Sequence, residues 1–147
     1  MKNSLRLAAL AATLTTLPIA WAADAAAAAA AKEAGAIVTA SGLVYRSLRD
    51  GAGASPKASD TVKVNYRGTF PDGKEFDSSY QRNQAIEFPL GKVIKCWTEG
   101  VQRMKVGGKA KLTCPASIAY GARGAGGVIP PNATLLFEVE LLGINGQ

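Results

Sequence analysis

Histidine is absent from all 147 residues, and cysteine occurs only at Cys96 and Cys114. Without imidazole there is no Ser-His-Asp or Cys-His nucleophile arrangement and no zinc site built on histidine, and two cysteines do not complete a metal site. A hydrolase would need unusual machinery, and neither a metal nor a cofactor is expected. Glycine is common, yet it builds no nucleotide site. Gly108-Lys109 lacks both the glycine five residues earlier and the Ser or Thr that follows in a phosphate loop, and Gly124-Ala125-Gly126 lacks the third glycine of a dinucleotide fingerprint. Long blocks of one charge are also missing. The basic residues are scattered from Lys57 to Lys111 with no ladder of aromatics between them, so they read as a solvated surface and exclude nucleic acid as a partner.

Long hydrophobic runs are limited to one, Leu7 to Ala20. It follows Lys2 and Arg6, is interrupted by Thr13, Thr15, Thr16 and Pro18, and ends at Ala20-Trp21-Ala22, which has the form of a signal-peptidase site. Residues 1–22 therefore read as a secretory signal peptide rather than a stable membrane insertion, and the product as a periplasmic or secreted protein beginning near Ala23. Loss of Lys2 and Arg6 leaves fifteen basic residues against eleven acidic ones, a formal charge of about +4. In an exported chain Cys96 and Cys114 are read as one disulfide. Residues 23–40 are dominated by the alanines from Ala25 to Ala31 and read as a tether or frayed helix. The stretch 41–147 is long enough for one domain, without room for a second.

Inside that domain the hydrophobic period gives the elements. Leu43 to Leu48 reads as a strand. Val62, Val64 and Tyr66 alternate with Lys63, Asn65 and Arg67 as a second, over Thr61 to Phe70. After the Pro71-Asp72-Gly73-Lys74 turn, Glu75-Phe76-Asp77 is extended, and Ile86, Phe88 and Leu90 alternate again. Between Val93 and Met104 the period changes: Ile94, Trp97, Val101 and Met104 fall at intervals of three and four, which predicts the one helix. Ala110, Leu112 and Cys114 return to strand, Ser117 to Tyr120 reads as a short helical turn, and Leu135, Phe137, Val139 and Leu141 form the buried face of a last strand. Glu138 and Glu140 then lie on its solvated face. One helix covering several strands predicts an α+β fold, an antiparallel sheet wrapped around that helix.

Residues 119–134 are mostly turn formers, with four glycines between Gly121 and Gly127 and a stiff Pro130-Pro131 exit. This pattern predicts a flexible flap outside the core. Tyr120, Val128 and Ile129 are aromatic or apolar side chains that solvent gives no reason to be there. Tyr120 and Ile129, with Tyr66, Phe76, Phe88, Ile94, Trp97 and Phe137 and the lone carboxylate Asp77, describe an apolar pocket with few polar groups.

The ordered motifs Val64-Asn65-Tyr66-Arg67-Gly68, Gly73-Lys74-Glu75-Phe76-Asp77-Ser78-Ser79, Val93-Ile94 with Trp97, Ala110-Lys111-Leu112-Thr113, Ala119-Tyr120-Gly121 and Ile129-Pro130-Pro131-Asn132-Ala133-Thr134-Leu135 resemble the FKBP-type peptidyl-prolyl cis-trans isomerases. The chain looks most like the exported bacterial members similar to macrophage infectivity potentiator, although residues 23–40 are too short for the helical dimerisation arm those members often carry. The resemblance spans nearly all of Gly42 to Ile144. It implies a half-barrel around the Trp97 helix, with a substrate proline ring on the Trp97 indole. It also implies a site of Tyr66, Phe76, Asp77, Ile94, Trp97, Tyr120 and Phe137, with Phe88, Val93 and Ile129 binding substrate and Arg82 paired with Asp77. The Ile94 position offers a backbone N–H, the Tyr120 position a hydroxyl and the Asp77 position a carboxylate. The partners implied are proline-containing polypeptides and macrolide immunosuppressants. Two residues depart from the family pattern: Cys96 replaces a common glycine, and Gly126 stands where the flap often has proline. A non-catalytic chaperone or scaffold using the same groove is the competing expectation.

Overall fold

The computed structural model describes residues 19–145, with side chains from Ala25 onward, so the signal peptide read over 1–22 lies outside the residues whose side chains are described. The chain runs through a helix α1 (Ile19–Ala31), strands β1 (Ile37–Val38), β2 (Val44–Arg49), β3 (Thr61–Thr69), β4 (Glu75–Ser78) and β5 (Ile86–Pro89), a helix α2 (Lys95–Gln102), and strands β6 (Lys109–Cys114) and β7 (Leu135–Asn145). Short 3-10 turns at Leu90–Lys92 and Ala116–Ile118 lead into α2 and the flap. All pairings are antiparallel, in the order β1-β2-β6-β7-β3-β4, with β5 also on β3.

This is the expected α+β half-barrel, and the alternating residues explain its handling of water. Val62, Val64 and Tyr66 of β3, Ala110, Leu112 and Cys114 of β6, and Leu135, Phe137, Val139 and Leu141 of β7 are all buried on one face. The face left open by the sheet receives α2, which buries Cys96, Trp97, Gly100 and Val101. Gly100 permits that approach, since a Cβ there would lie 2.8 Å from a Leu112 methyl. Cys96, in the first turn of α2, is bonded to Cys114 at the end of β6, with Cα atoms 5.8 Å apart. The helix is thus held to the sheet by a covalent link at one end and a glycine-sized contact one turn later.

Two outcomes differ from the sequence pattern. The segment 23–40 carries structure: α1 lies against β2 and β6, Ala30 is buried, and β1 pairs with β2. Glu33 holds it there, accepting from Arg46 at 2.7 Å and Lys111 at 2.8 Å. Those hydrogen bonds, from Lys111 first and Arg46 second, outweigh the opposing effect of burial and lower the Glu33 pKa. A run of alanines gave no sign of this, because the partners are charges on distant strands. Glu138 and Glu140 are not simply solvated either. They lie near Lys109 at 3.8 Å and Arg49 at 3.5 Å, in a row of opposite charges across β2, β6 and β7.

Removing the disulfide frees a loop with a sequence separation of 18, which should cost roughly 3 kcal/mol of stability. Urea unfolding of the oxidised protein and of a Cys96→Ala/Cys114→Ala variant measures this; equal midpoints would show that the link adds nothing.

Candidate active site

β3 carries two short partners on one edge. β4 pairs with Arg67 to Thr69 and β5 with Thr61 to Val64, which leaves the middle of that edge, Asn65 and Tyr66, without a strand. Unpaired buried backbone groups are costly, and Ser79 satisfies them. Its hydroxyl accepts from the Tyr66 N–H at 2.8 Å, its own N–H donates to the Tyr66 carbonyl at 3.0 Å, and its hydroxyl also donates to Asn65 Oδ1 at 3.0 Å. Ser79 is fully buried. The connection from β4 to β5 is therefore stitched to β3 next to Tyr66, which fixes Asp77 on one side and Arg82 on the other.

The three polar side chains meet. The Tyr66 hydroxyl donates to Asp77 Oδ2, Arg82 Nη1 donates to Asp77 Oδ1 at 2.7 Å, and Arg82 Nη2 donates to the Tyr66 oxygen at 3.1 Å. Burial works to raise the Asp77 pKa, but the Tyr66 hydrogen bond and then the Arg82 guanidinium outweigh it, and the carboxyl titrates below its ordinary value. Burial, reinforced by the hydrogen bond to Asp77, raises the Tyr66 phenol.

Beside this cluster lies a cavity of about 370 Å³. Trp97 of α2 is its hub, meeting Tyr66, Phe88 and Phe137 edge to face at centroid distances of 5.3, 5.5 and 5.4 Å. Phe137 in turn meets Phe76 at 5.6 Å, and Phe76 meets Phe70 at 4.9 Å. Gly68 makes room for this, since a Cβ there would fall 2.5 Å from Phe76 Cζ and 3.0 Å from Phe137 Cε1. The Trp97 indole N–H is buried and finds no partner among the described residues. Val93 and Ile94 line the wall where the chain enters α2. Ile94 is the N-cap of that helix and accepts from the Trp97 and Thr98 N–H groups, while its own N–H makes no hydrogen bond among the described residues. Tyr120, 41% exposed, closes the far rim, and its hydroxyl is likewise without a partner among the described residues.

Of the residues singled out in the sequence, Tyr66, Phe76, Asp77, Phe88, Val93, Ile94, Trp97, Tyr120 and Phe137 share this cavity. Arg82 does not line it but reaches it through Asp77 and Tyr66. Ile129 does not line it either. It is 7% exposed and belongs to the core, so the flap is anchored rather than wholly outside. Ala125 and Ile129 exchange both backbone hydrogen bonds, at 2.9 and 3.0 Å, and Asn132 donates to Gly121 at 2.8 Å. Gly124, with φ +67, lies so close to this bridge that a Cβ would sit 2.3 Å from the Ile129 oxygen. Gly126 has φ +47, a conformation that proline cannot adopt.

Sequence reasoning missed three contributors. Lys92 lines the cavity, and its place next to Val93 was the available signal. Ser79 and Gly68 act through packing and hydrogen bonding that no local pattern reveals. No serine or cysteine lines the cavity, and its carboxylate is already engaged by a phenol and a guanidinium, so the walls offer an apolar shape and unpartnered donors rather than an activated nucleophile. Among the described residues no group of three His, Cys, Asp or Glu side chains could hold a metal ion, and no helix is long and apolar enough to cross a membrane.

Comparison with known proteins agrees with this geometry. The chain is 54% identical over 114 residues to FKBP-type peptidyl-prolyl cis-trans isomerase FkpA of Escherichia coli, covering 78% of this chain and 42% of that protein. It is 52% identical over 103 residues to FK506-binding protein 1 of Dictyostelium discoideum, covering 69% of this chain and 96% of that one. The crystal structure of Escherichia coli FkpA superposes with a TM-score of 0.79 at 48% identity, over 86% of this chain and 61% of that one. The chain thus spans less than half the length of the FkpA relative it matches. With residues 53–142 matching the family model itself, the chain belongs to the FKBP-type peptidyl-prolyl cis-trans isomerase family.

Proposed function

We propose that this chain accelerates cis-trans rotation about X–Pro bonds in exported polypeptides and so assists their folding. The observation that carries the reading is the Trp97-based aromatic cavity, with the Ile94 N–H and the Tyr120 hydroxyl unpartnered at its wall and rim. Rotation is opposed by amide resonance, with a barrier of roughly 18–20 kcal/mol. The planar amide is the more polar species and the twisted one has lost conjugation. A water-poor cavity therefore destabilises the ground state relative to the transition state, and each ~1.4 kcal/mol of that difference is about tenfold in rate.

In this reading the proline ring lies on the Trp97 indole between Phe76 and Phe137, and Phe88 and Val93 complete its surroundings. Ile94 N–H and Tyr120 hold the carbonyls that flank the rotating bond. Asp77 acts electrostatically on the amide and is oriented by Tyr66 and Arg82, while Ile129 supports the flap from below. No bond to carbon is made or broken. Macrolides of the FK506 type compete for the same cavity. The N-terminal 22 residues direct export and are removed, leaving a periplasmic or secreted protein.

Acceleration of a short X–Pro peptide, abolished by such a macrolide, is the decisive observation. Macrolide binding without acceleration would instead favour a chaperone or scaffold that holds proline-containing segments. Phe76→Ala and Tyr120→Ala should each lower kcat/KM by on the order of 10–100-fold with unchanged circular dichroism; full activity in both would remove the roles given to them. Gly68→Ala should push the Phe76 ring into the cavity and raise KM more than it lowers thermal stability, and an unchanged KM would show that the ring has other room.

The pH profile follows from Asp77 and Tyr66. Asp77 is lowered, so the stability its ionised form contributes is complete above the unfolded value, about 3.9, and is lost as pH falls through the lower folded value. Tyr66 is raised and stays a neutral donor well above pH 9. Neither group changes charge between about pH 5 and 9, so kcat/KM of the wild type is expected to be level there. An inflection near neutrality that Asp77→Asn abolishes would contradict this.

A further inference from the structure

A second cavity, of about 200 Å³, opens at the other end of α2 and shares no lining residue with the aromatic one. Its wall is strongly basic. Arg49 arrives from the end of β2, where the register with β6 shifts between Ser47 and Arg49, and such bulges re-aim side chains. Lys109 comes from the start of β6, and Arg103 and Lys105 from the C-terminal end of α2. One carboxylate, Asp50, also lines the cavity, and it accepts from the Ser47 hydroxyl at 2.7 Å.

The cations are only partly compensated. Arg49 donates to the Gly107 carbonyl at 3.1 Å and is 3.5 Å from Glu140, while Lys109 is 3.8 Å from Glu138 and 6.0 Å from the Tyr80 ring. Arg103 and Lys105 have no side-chain hydrogen bond or ion pair among the described residues. A helix C-terminus accounts for cations at 103 and 105, but not for the convergence of two more from separate strands. The cavity also holds Tyr45, 8% exposed and part of the core, whose hydroxyl makes no hydrogen bond among the described residues. Burial first, then the charge of Asp50, against that of Arg103, raises its phenol pKa, so it remains a neutral O–H donor in the field of both groups.

We propose that this basic cavity is an oxyanion-binding site of phosphate type, with the Tyr45 hydroxyl as a donor at its wall and Arg103 and Lys105 as the principal charges. Asp50, Glu138 and Glu140 offset part of this charge, but Arg103 and Lys105 meet no carboxylate among the described residues, and with the Tyr45 hydroxyl they match the oxygens of a multiply charged anion. Nothing in this inference depends on isomerase activity, because the aromatic cavity lies at the opposite end of the helix.

The test is calorimetric titration of the purified protein with pyrophosphate at constant ionic strength set by chloride, since screening alone would otherwise mimic binding. Saturable one-site binding is expected, weakened about tenfold or more in Arg103→Gln/Lys105→Gln, whose side chains are solvent-facing and leave the core intact. Tyr45→Phe keeps the buried ring and should weaken binding severalfold with little change in melting temperature. Absence of saturable binding, or equal affinity in both variants, overturns the proposal. So does a triglutamate peptide that binds as tightly as pyrophosphate, which would make the site a general polyanion surface.

Discussion

The seating of α2 in the open face of the sheet is the constraint on which the rest of this molecule depends. The helix has only eight residues, too few to be stable alone in water. It exists because Trp97 and Val101 are buried, Gly100 lets Leu112 approach, and Cys96 is tied to Cys114. The same seating creates the aromatic cavity. Trp97 meets three rings edge to face, one each from β3, β5 and β7, so the core and the site share their largest side chain. Thr98 adds a hydrogen bond at 2.6 Å to the Leu90 carbonyl, tying the helix to the turn that precedes it and holding Val93 and Ile94 against the cavity.

The second organising feature is a gap. β3 is paired along one whole edge with β7, but the other edge is divided between β4 and β5. A continuous strand there would cover Tyr66. Ser79 instead satisfies the exposed backbone with one residue, and the chain departs from the sheet to bring Asp77 and Arg82 to the Tyr66 hydroxyl. Electrostatics follow from this path. The carboxylate is kept ionised and engaged by neighbours close in sequence but on different elements, so the site has a fixed dipole without a free base.

Helix α2 also separates two environments. Its N-terminal end meets an apolar cavity edged by unpartnered donors, and its C-terminal end meets a basic one with a tyrosine hydroxyl at its wall. At 1.5 Å per residue the eight-residue helix is about 12 Å long, so binding at either end can be probed without touching the other. Charges placed at the flap or on β3 would have blurred that division.

Periodicity determined the strands and the helix to within a few residues, because burial on one face of a sheet or helix forces a period of two or of 3.6. The chemistry excluded by composition was equally legible, since a chain without histidine cannot improvise imidazole. The aromatics of the cavity were legible as a set, because large apolar side chains beside turns gain nothing from solvent and must pack against one another. What tertiary structure alone decided were contacts between distant residues. Ile129 enters the core instead of the cavity because a bridge to Ala125 turns it inward. Glu33 pins an alanine-rich segment through Lys111, 78 residues away in the chain. Ser79, Gly68 and the basic cavity around Tyr45 likewise arise only when strands far apart in sequence are brought side by side, where hydrogen-bond geometry and excluded volume act and no local pattern records them.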